Sequence, residues 1–190
     1  MSTRILALVG SLRAGSYNRQ LAEAARKHAP DGIGVDVFDD LADVAFYNED
    51  IDRPGAVAAA DRLRVEVECA DALLLVTPEY NGTIPASLKN AIDWISRPYG
   101  AGAISGKPLA VVGASTGRYG GRWAHHEARR AASIAGASVL DHVTLSVPHA
   151  ATRFATIHPA DDEEIADTMS TILAAVAAAA VNRRQLVPES

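Results

Sequence analysis

The chain has 190 residues, 48% of them hydrophobic and 22% charged, with a formal net charge of -5. Such a length and apolar content support a single domain over residues 1–190 whose core needs neither disulfides nor metal, and the one cysteine, Cys69, suits a reducing cytoplasm. The acidic balance, with no Lys/Arg run beyond Arg129-Arg130 and Arg183-Arg184, excludes a general field for nucleic acid; Met1 to Val9 has neither signal-peptide order nor the length of a membrane span.

Arg4 to Val9 is an apolar run closed by Gly10, and helical spacing follows over Asn18 to His28, giving strand, loop and helix. Gly34 to Phe38 reads as a second strand, and Pro54 to Ala70 as a helix with Pro54 near its first turn. Cys69, just before an apolar run, is expected to be a small buried hydrophobe. Asp71 to Thr77 makes a third strand. Leu88, Ala91, Ile92 and Ile95 then recur at helical spacing, predicting a helix from Ile84 to about Ser96 that tolerates Pro85 only in its first turn.

Leu109 to Gly113 is a fourth strand, Gly121 to Ala135 a helix and Ser138 to Val147 a fifth strand, while Ile165, Met169, Ile172, Leu173 and Val176 line one face of a last helix. Apolar runs alternating with helices, without hairpin signals between them, predict a doubly wound α/β fold with a parallel sheet covered on both faces. Ligands of such folds gather beyond the carboxyl ends of the strands, so the loops after strands one, three and four are the candidate site.

The first of these loops, Gly10-Ser11-Leu12-Arg13-Ala14-Gly15-Ser16-Tyr17-Asn18-Arg19, has the chemistry of a phosphate cradle. Helix-start N–H groups favour an anion, Ser11, Ser16 and Asn18 add donors, and Arg13 adds a charge-assisted contact. The plainer reading makes Ser16 a helix cap and Arg13 a solvated surface charge. Leu12 breaks the G-x-G-x-x-G pattern, and Ser16 stands where a Walker loop requires Lys. A receiver domain would need acidic residues at Gly10-Ser11.

The third strand ends in Thr77-Pro78-Glu79-Tyr80-Asn81-Gly82-Thr83-Ile84-Pro85, where Tyr80 offers an aromatic face and Asn81 and Gly82 offer backbone amides to a flat ring. An ordinary connection with Tyr80 on the surface is the alternative. Gly113-Ala114-Ser115-Thr116-Gly117-Arg118-Tyr119-Gly120-Gly121 follows the fourth strand, its glycines permitting close backbone approach. It also fits the G-x-S-x-G elbow of serine hydrolases, with Asp141 and His149 or His158 following in order, so Ser115 is a second candidate chemistry, although no oxyanion loop of the HGG type accompanies it.

Taken together, Gly10-Ser11-Leu12-Arg13, Ser16 and Asn18-Arg19, then Pro78-Glu79-Tyr80-Asn81-Gly82 and Leu88-Lys89-Asn90-Ala91-Ile92-Asp93-Trp94, resemble the NADPH-dependent FMN reductase family. The loop Gly113 to Gly121 and the segment Tyr47-Asn48-Glu49-Asp50 are similar to it as well. The resemblance implies a flavodoxin-like three-layer sandwich with a five-stranded parallel sheet in the order 2-1-3-4-5, FMN as cofactor, NADPH or NADH as co-substrate, and a homodimer or homotetramer. It implies that Ser11, Arg13, Ser16 and Asn18 bind the FMN phosphate. Pro78, Glu79, Tyr80, Asn81 and Gly82 would line the ribityl chain and one ring edge, and Ser115, Thr116 and Gly117 the other side. Ala86 stands where the family commonly has Gly.

On this reading FMN carries the hydride chemistry from nicotinamide to a small acceptor, such as a quinone, flavin, azo compound or metal oxyanion, and no catalytic acid or base is required. A flavodoxin-type electron carrier that never meets nicotinamide is the alternative within the same fold. Among other residues, His125 and His126 read as a surface or interface pair, and Trp94 and Trp123 as core or interface aromatics. Arg118 and Arg122 are either contacts for the NADPH 2′-phosphate or solvated charges. Asp39, Asp40 and Asp161 to Glu164 read as loop and helix-start acids.

Overall fold

Five parallel strands form the sheet in the order β2-β1-β3-β4-β5 in the computed structural model, which describes residues 2–186. The strands are β1 (Thr3–Val9), β2 (Ile33–Phe38), β3 (Ala72–Val76), β4 (Pro108–Ala114) and β5 (Ser138–Val147). Between and after them run α1 (Tyr17–Lys27), α2 (Ala58–Cys69), α3 (Ala86–Ile95), α4 (Arg122–Ile134), the one-turn α5 (Ala150–Arg153) and α6 (Glu163–Leu186).

The sheet's two faces divide the apolar residues by strand alternation. Ile5, Ala7 and Val9 of β1 join Leu21 and Ala25 of α1 and Ile165, Met169 and Leu173 of α6. Leu6 and Leu8 point the other way, onto Leu63 and Val67 of α2, Leu88 and Trp94 of α3 and Ala124 and Ala128 of α4. β3 and β4 are buried along their whole length, which explains their unbroken apolar sequences. α6 is long and apolar enough to cross a bilayer by length and composition, but here its Ile165, Met169, Leu173, Val176 and Ala180 are buried in the core.

Register brings the functional loops together. Val9 pairs with Val76 and Val76 with Val112, so β1, β3 and β4 end side by side. Gly10 N–H then donates to the Val76 carbonyl at 2.9 Å, and Thr77 N–H to that of Val112 at 3.0 Å.

Three local expectations change. α2 starts at Ala58 rather than at Pro54, because Gly55 takes a left-handed turn (φ +80°) and donates its N–H to Asp61 Oδ2 at 2.8 Å. Pro85 is the cap before α3, one residue ahead of the first turn. Cys69 is exposed: the buried side of α2 is set by Ala60, Leu63 and Val67, and a residue two past Val67 falls on the opposite side.

Candidate functional site

Gly10 leaves β1 beneath the start of α3. A Cβ there would lie 3.3 Å from each of Leu88 Cβ, Pro85 Cγ and Thr77 Oγ1, so only glycine passes without displacing a neighbour, and Ser87 Oγ donates to the Gly10 carbonyl at 2.7 Å. Beyond it, Ser16 caps α1, its buried Oγ accepting from Arg19 N–H at 3.3 Å, and α1 has no acid in its first turn. Among the described residues, the N–H groups of Ser11, Leu12, Arg13, Ala14 and Gly15 have no acceptor in the protein, whereas Ser16 N–H donates to the Arg13 carbonyl. Arg13 is exposed, with its guanidinium 5.5 Å from the centre of the Tyr17 ring. Unspent donors at a helix start beside an unpaired cation fit a phosphate.

Asn18 faces away from that loop. Its Nδ2 donates to the Ala114 carbonyl and its Oδ1 accepts from Ala114 N–H, both at 2.9 Å, in a buried two-point clamp on the end of β4. The residue expected to touch phosphate therefore ties two loops together. Ser11 Oγ and the Tyr80 hydroxyl, 3.5 Å apart, bring the first and second loops to the same surface.

In the second loop, Tyr80 and Thr83 exchange backbone hydrogen bonds of 2.9 and 3.1 Å around Asn81 (φ 52°) and Gly82 (φ 77°). Two successive positive φ values are what a two-residue hairpin turn of Asn-Gly type adopts. Nothing lies within 4 Å of where a Gly82 Cβ would stand, so the turn faces open space. Pro78 is buried, and Thr77 Oγ1 donates to its carbonyl at 2.8 Å. Glu79 is committed elsewhere: its Oε2 accepts from Trp123 N–H (3.1 Å) and Ala124 N–H (3.3 Å), capping α4, whose own cap residue is Gly121.

The third loop is fixed by the end of β5. Ser115 N–H donates to the Val147 carbonyl, Ala150 N–H to that of Ser115, and His149 N–H to that of Gly117. Ser115 Oγ accepts from Gly117 N–H at 3.2 Å and Thr116 is exposed. A hydrolase triad is not assembled: Asp141 is 83% exposed and lies 3.9 Å from Arg129, and His158 accepts from Ala160 N–H and lies 3.3 Å from Glu23.

Beneath this loop lies a residue whose sequence reading needs correction. His125 is fully buried, not part of a surface pair, while His126 beside it is exposed. His125 Nδ1 is 2.9 Å from Ser146 Oγ, and its Nε2, facing Gly113 and the Thr77 carbonyl, makes no hydrogen bond of good geometry. Burial, reinforced by the charge of Arg129, pushes its pKa down to about 4. Of the two tryptophans, Trp94 is buried and Trp123 is 46% exposed.

A cavity of about 580 Å³ opens between the first two loops and the segment Leu41 to Phe46. That segment gave no periodic signal in the sequence, yet it forms one wall. It is held by Asn90, which accepts from Tyr47 N–H (2.8 Å) and donates to the Val44 (3.1 Å) and Ala45 (3.0 Å) carbonyls, and by Trp94 Nε1–H donating to Ala45 (2.7 Å). A larger cavity, about 810 Å³, lies between α3 and α4 and meets the three loops only at Thr83 and Ile84. The smaller one is the candidate site, because it is lined by the strand-end residues Gly10, Arg13 and Tyr80.

The model of the NADPH-dependent FMN reductase family matches residues 3–152, which hold all three loops. The chain belongs to that family. It is 46% identical over 126 residues to a quinone reductase of Pseudomonas putida, covering 66% of this chain and 67% of that one. A 42% identity over 127 residues relates it to an NAD(P)H-dependent FMN reductase of Pseudomonas aeruginosa, covering 67% and 68%. Among solved structures, the flavoenzyme NAD(P)H:(acceptor) oxidoreductase FerB of Paracoccus denitrificans superposes with a TM-score of 0.82 at 30% identity, over 95% of this chain and 98% of that one. The fold is thus flavodoxin-like, and the protein is an oxidoreductase of the kind that uses FMN with NAD(P)H.

Two measurements check the ties beneath the site. Asn18→Ala strands the buried N–H and C=O of Ala114 and should lower stability by about 2 to 4 kcal/mol, read from the denaturation midpoint. For His125, a native pKa of about 4 lies below the unfolded 6.5. Above the unfolded value neither state holds the proton and no penalty exists; between pH 6.5 and 4 only the unfolded state binds it, and stability falls by up to about 3 kcal/mol. His125→Gln should remove that increment, so wild-type and variant stability curves that stay parallel from pH 7 to 4 would contradict it.

Proposed function

We propose that this chain acts as a single-domain cytoplasmic enzyme that holds FMN across its three strand-end loops and reduces a small acceptor, a quinone first among the candidates. What carries the reading is the row of N–H groups from Ser11 to Gly15 without acceptors among the described residues, at the start of a helix with no acid in its first turn. Those groups, with Ser11, Arg13 and the Ser16 hydroxyl, hold the phosphate. Pro78, Tyr80, Asn81 and Gly82 line the ribityl chain and one edge of the ring, and Ser115, Thr116 and Gly117 border the other.

Asn18 and Glu79 act as positioning residues: one fixes the first loop to β4, the other fixes the second loop to α4. FMN bound there would supply the redox chemistry, hydride transfer between NAD(P)H and the acceptor. The protein needs no acid or base for this. Its own contribution is orientation, and the Asn81 and Gly82 amides of the turn would be the donors for the negative charge that develops on a reduced ring. The quinone is favoured by the name of the 46% identical relative. A homodimer or homotetramer is favoured by Tyr99 (88% exposed) and Ile134 (72% exposed), which line the cavity between α3 and α4.

Protein saturated with FMN and desalted should keep its visible flavin band, and NADPH added without oxygen should bleach it rapidly. A retained band that no nicotinamide nucleotide bleaches would make the chain an electron carrier, and no retained band would remove the site. Arg13→Ala should weaken FMN binding by about 1.5 to 3 kcal/mol, roughly ten- to a hundredfold in Kd. Unchanged affinity would place the phosphate elsewhere.

A further inference from the structure

At the start of α4, four side chains form an array that the proposed FMN contacts leave unused. The Arg118 guanidinium lies 4.5 Å from the centre of the Tyr119 ring, and that of Arg122 lies 5.4 Å from the same ring and 5.7 Å from Trp123. The rings meet edge to face, 4.9 Å apart at 72°. Tyr119 and Trp123 nonetheless remain 38% and 46% exposed. Aromatic surface and guanidinium groups are here held together in reach of solvent.

The charges of the array are unanswered. Among the described residues, no carboxylate pairs with Arg118 or Arg122, whereas Arg64, Arg129 and Arg153 all have acidic partners. Glu79, the carboxylate that touches this end of α4, uses Oε2 on the Trp123 and Ala124 N–H groups. Two like charges sharing one ring repel, and an anion between them relieves that repulsion. Guanidinium forks match a phosphate monoester, and exposed aromatic faces stack a purine.

We propose that Arg118 and Arg122 recognise the 2′-phosphate of NADPH while Tyr119 or Trp123 stacks its adenine, so that the array sets the preference for NADPH over NADH. The assignment rests on the FMN reading above: Arg118 directly follows Ser115 to Gly117, the residues placed at the ring. A nucleotide whose nicotinamide reaches that ring extends its adenosine end along the same loop. NADH would lose the two charge-assisted contacts and keep the stacking.

The test uses FMN-loaded protein with 1,4-benzoquinone as acceptor, and calorimetry with adenosine 2′,5′-bisphosphate and with AMP as probes. The wild type should bind the bisphosphate at least about tenfold more tightly than AMP, and Arg118→Ala/Arg122→Ala should abolish that difference while retaining FMN. In turnover, the double variant should lose about ten- to a hundredfold in kcat/KM for NADPH, mostly through KM, and less than about threefold for NADH. Equal losses with both nucleotides, or a wild type that binds the two probes alike, would overturn the assignment. Tight bisphosphate binding, lost in the variant, by a wild type that retains no flavin would uphold the array and overturn the FMN placement instead.

Discussion

Gly113 lets the end of β4 pass the Thr77 carbonyl and the His125 ring at a separation that no side chain tolerates. A Cβ there would stand 2.6 Å from His125 Nε2 and closer still to the Thr77 oxygen. Because β4 comes that close to β3, Ala114 arrives where the Asn18 amide can pair with both its N–H and its C=O. The first and third loops are thereby locked to each other. Glu79 locks the second loop to α4 in the same way, and Ser87 locks α3 to Gly10. Remove the close passage and the Asn18 clamp on Ala114 loses its geometry.

This division of labour explains an oddity of the site. Two of its polar side chains, Asn18 and Glu79, are spent on backbone groups, whereas Arg13 and the N–H groups of Ser11 to Gly15 are left for a ligand. Fixed amide dipoles need no reorganisation when charge develops near them, and they stay fixed because Asn18, Glu79 and Ser87 hold the loops from behind. A flavin enzyme gains from this, since the cofactor carries the reactivity and the protein must hold it still.

The parallel, doubly covered α/β class was legible in the sequence from local signals, and the strand order 2-1-3-4-5 from the resemblance to the family. Wholly buried β3 and β4 read as unbroken apolar runs, and Gly, Ser, Asn and Pro collect in the loops behind them. The duties of individual loop residues were not legible, because their partners lie far along the chain: Asn18 meets Ala114 across 96 residues and Glu79 meets Trp123 across 44. His125 was misread for a related reason. An adjacent histidine pair looks like a polar surface, yet only His125 shares the face of Ala124 and Ala128, and its place is decided by the space that Gly113 leaves. Cys69 failed on phase alone, two residues beyond the last buried position of its helix.

Charge gives the last link. With a net charge of -5 the chain has no general attraction for a nucleotide, and screening over roughly 8 Å at physiological salt confines any help to local groups. Arg4, Arg19 and Arg153 are spent on carboxylates, which raise their already high pKa values. Arg64 touches the Trp94 ring but also pairs with Asp52. Arg13, Arg118 and Arg122 are stationed differently, each against an aromatic ring at the carboxyl end of the sheet and with no acidic partner among the described residues. A ring positions a guanidinium without neutralising it, whereas a carboxylate would have to be displaced by any incoming phosphate. An acidic protein can therefore receive polyanionic ligands at one end of its sheet, provided the cations there are held by stacking rather than by salt bridges.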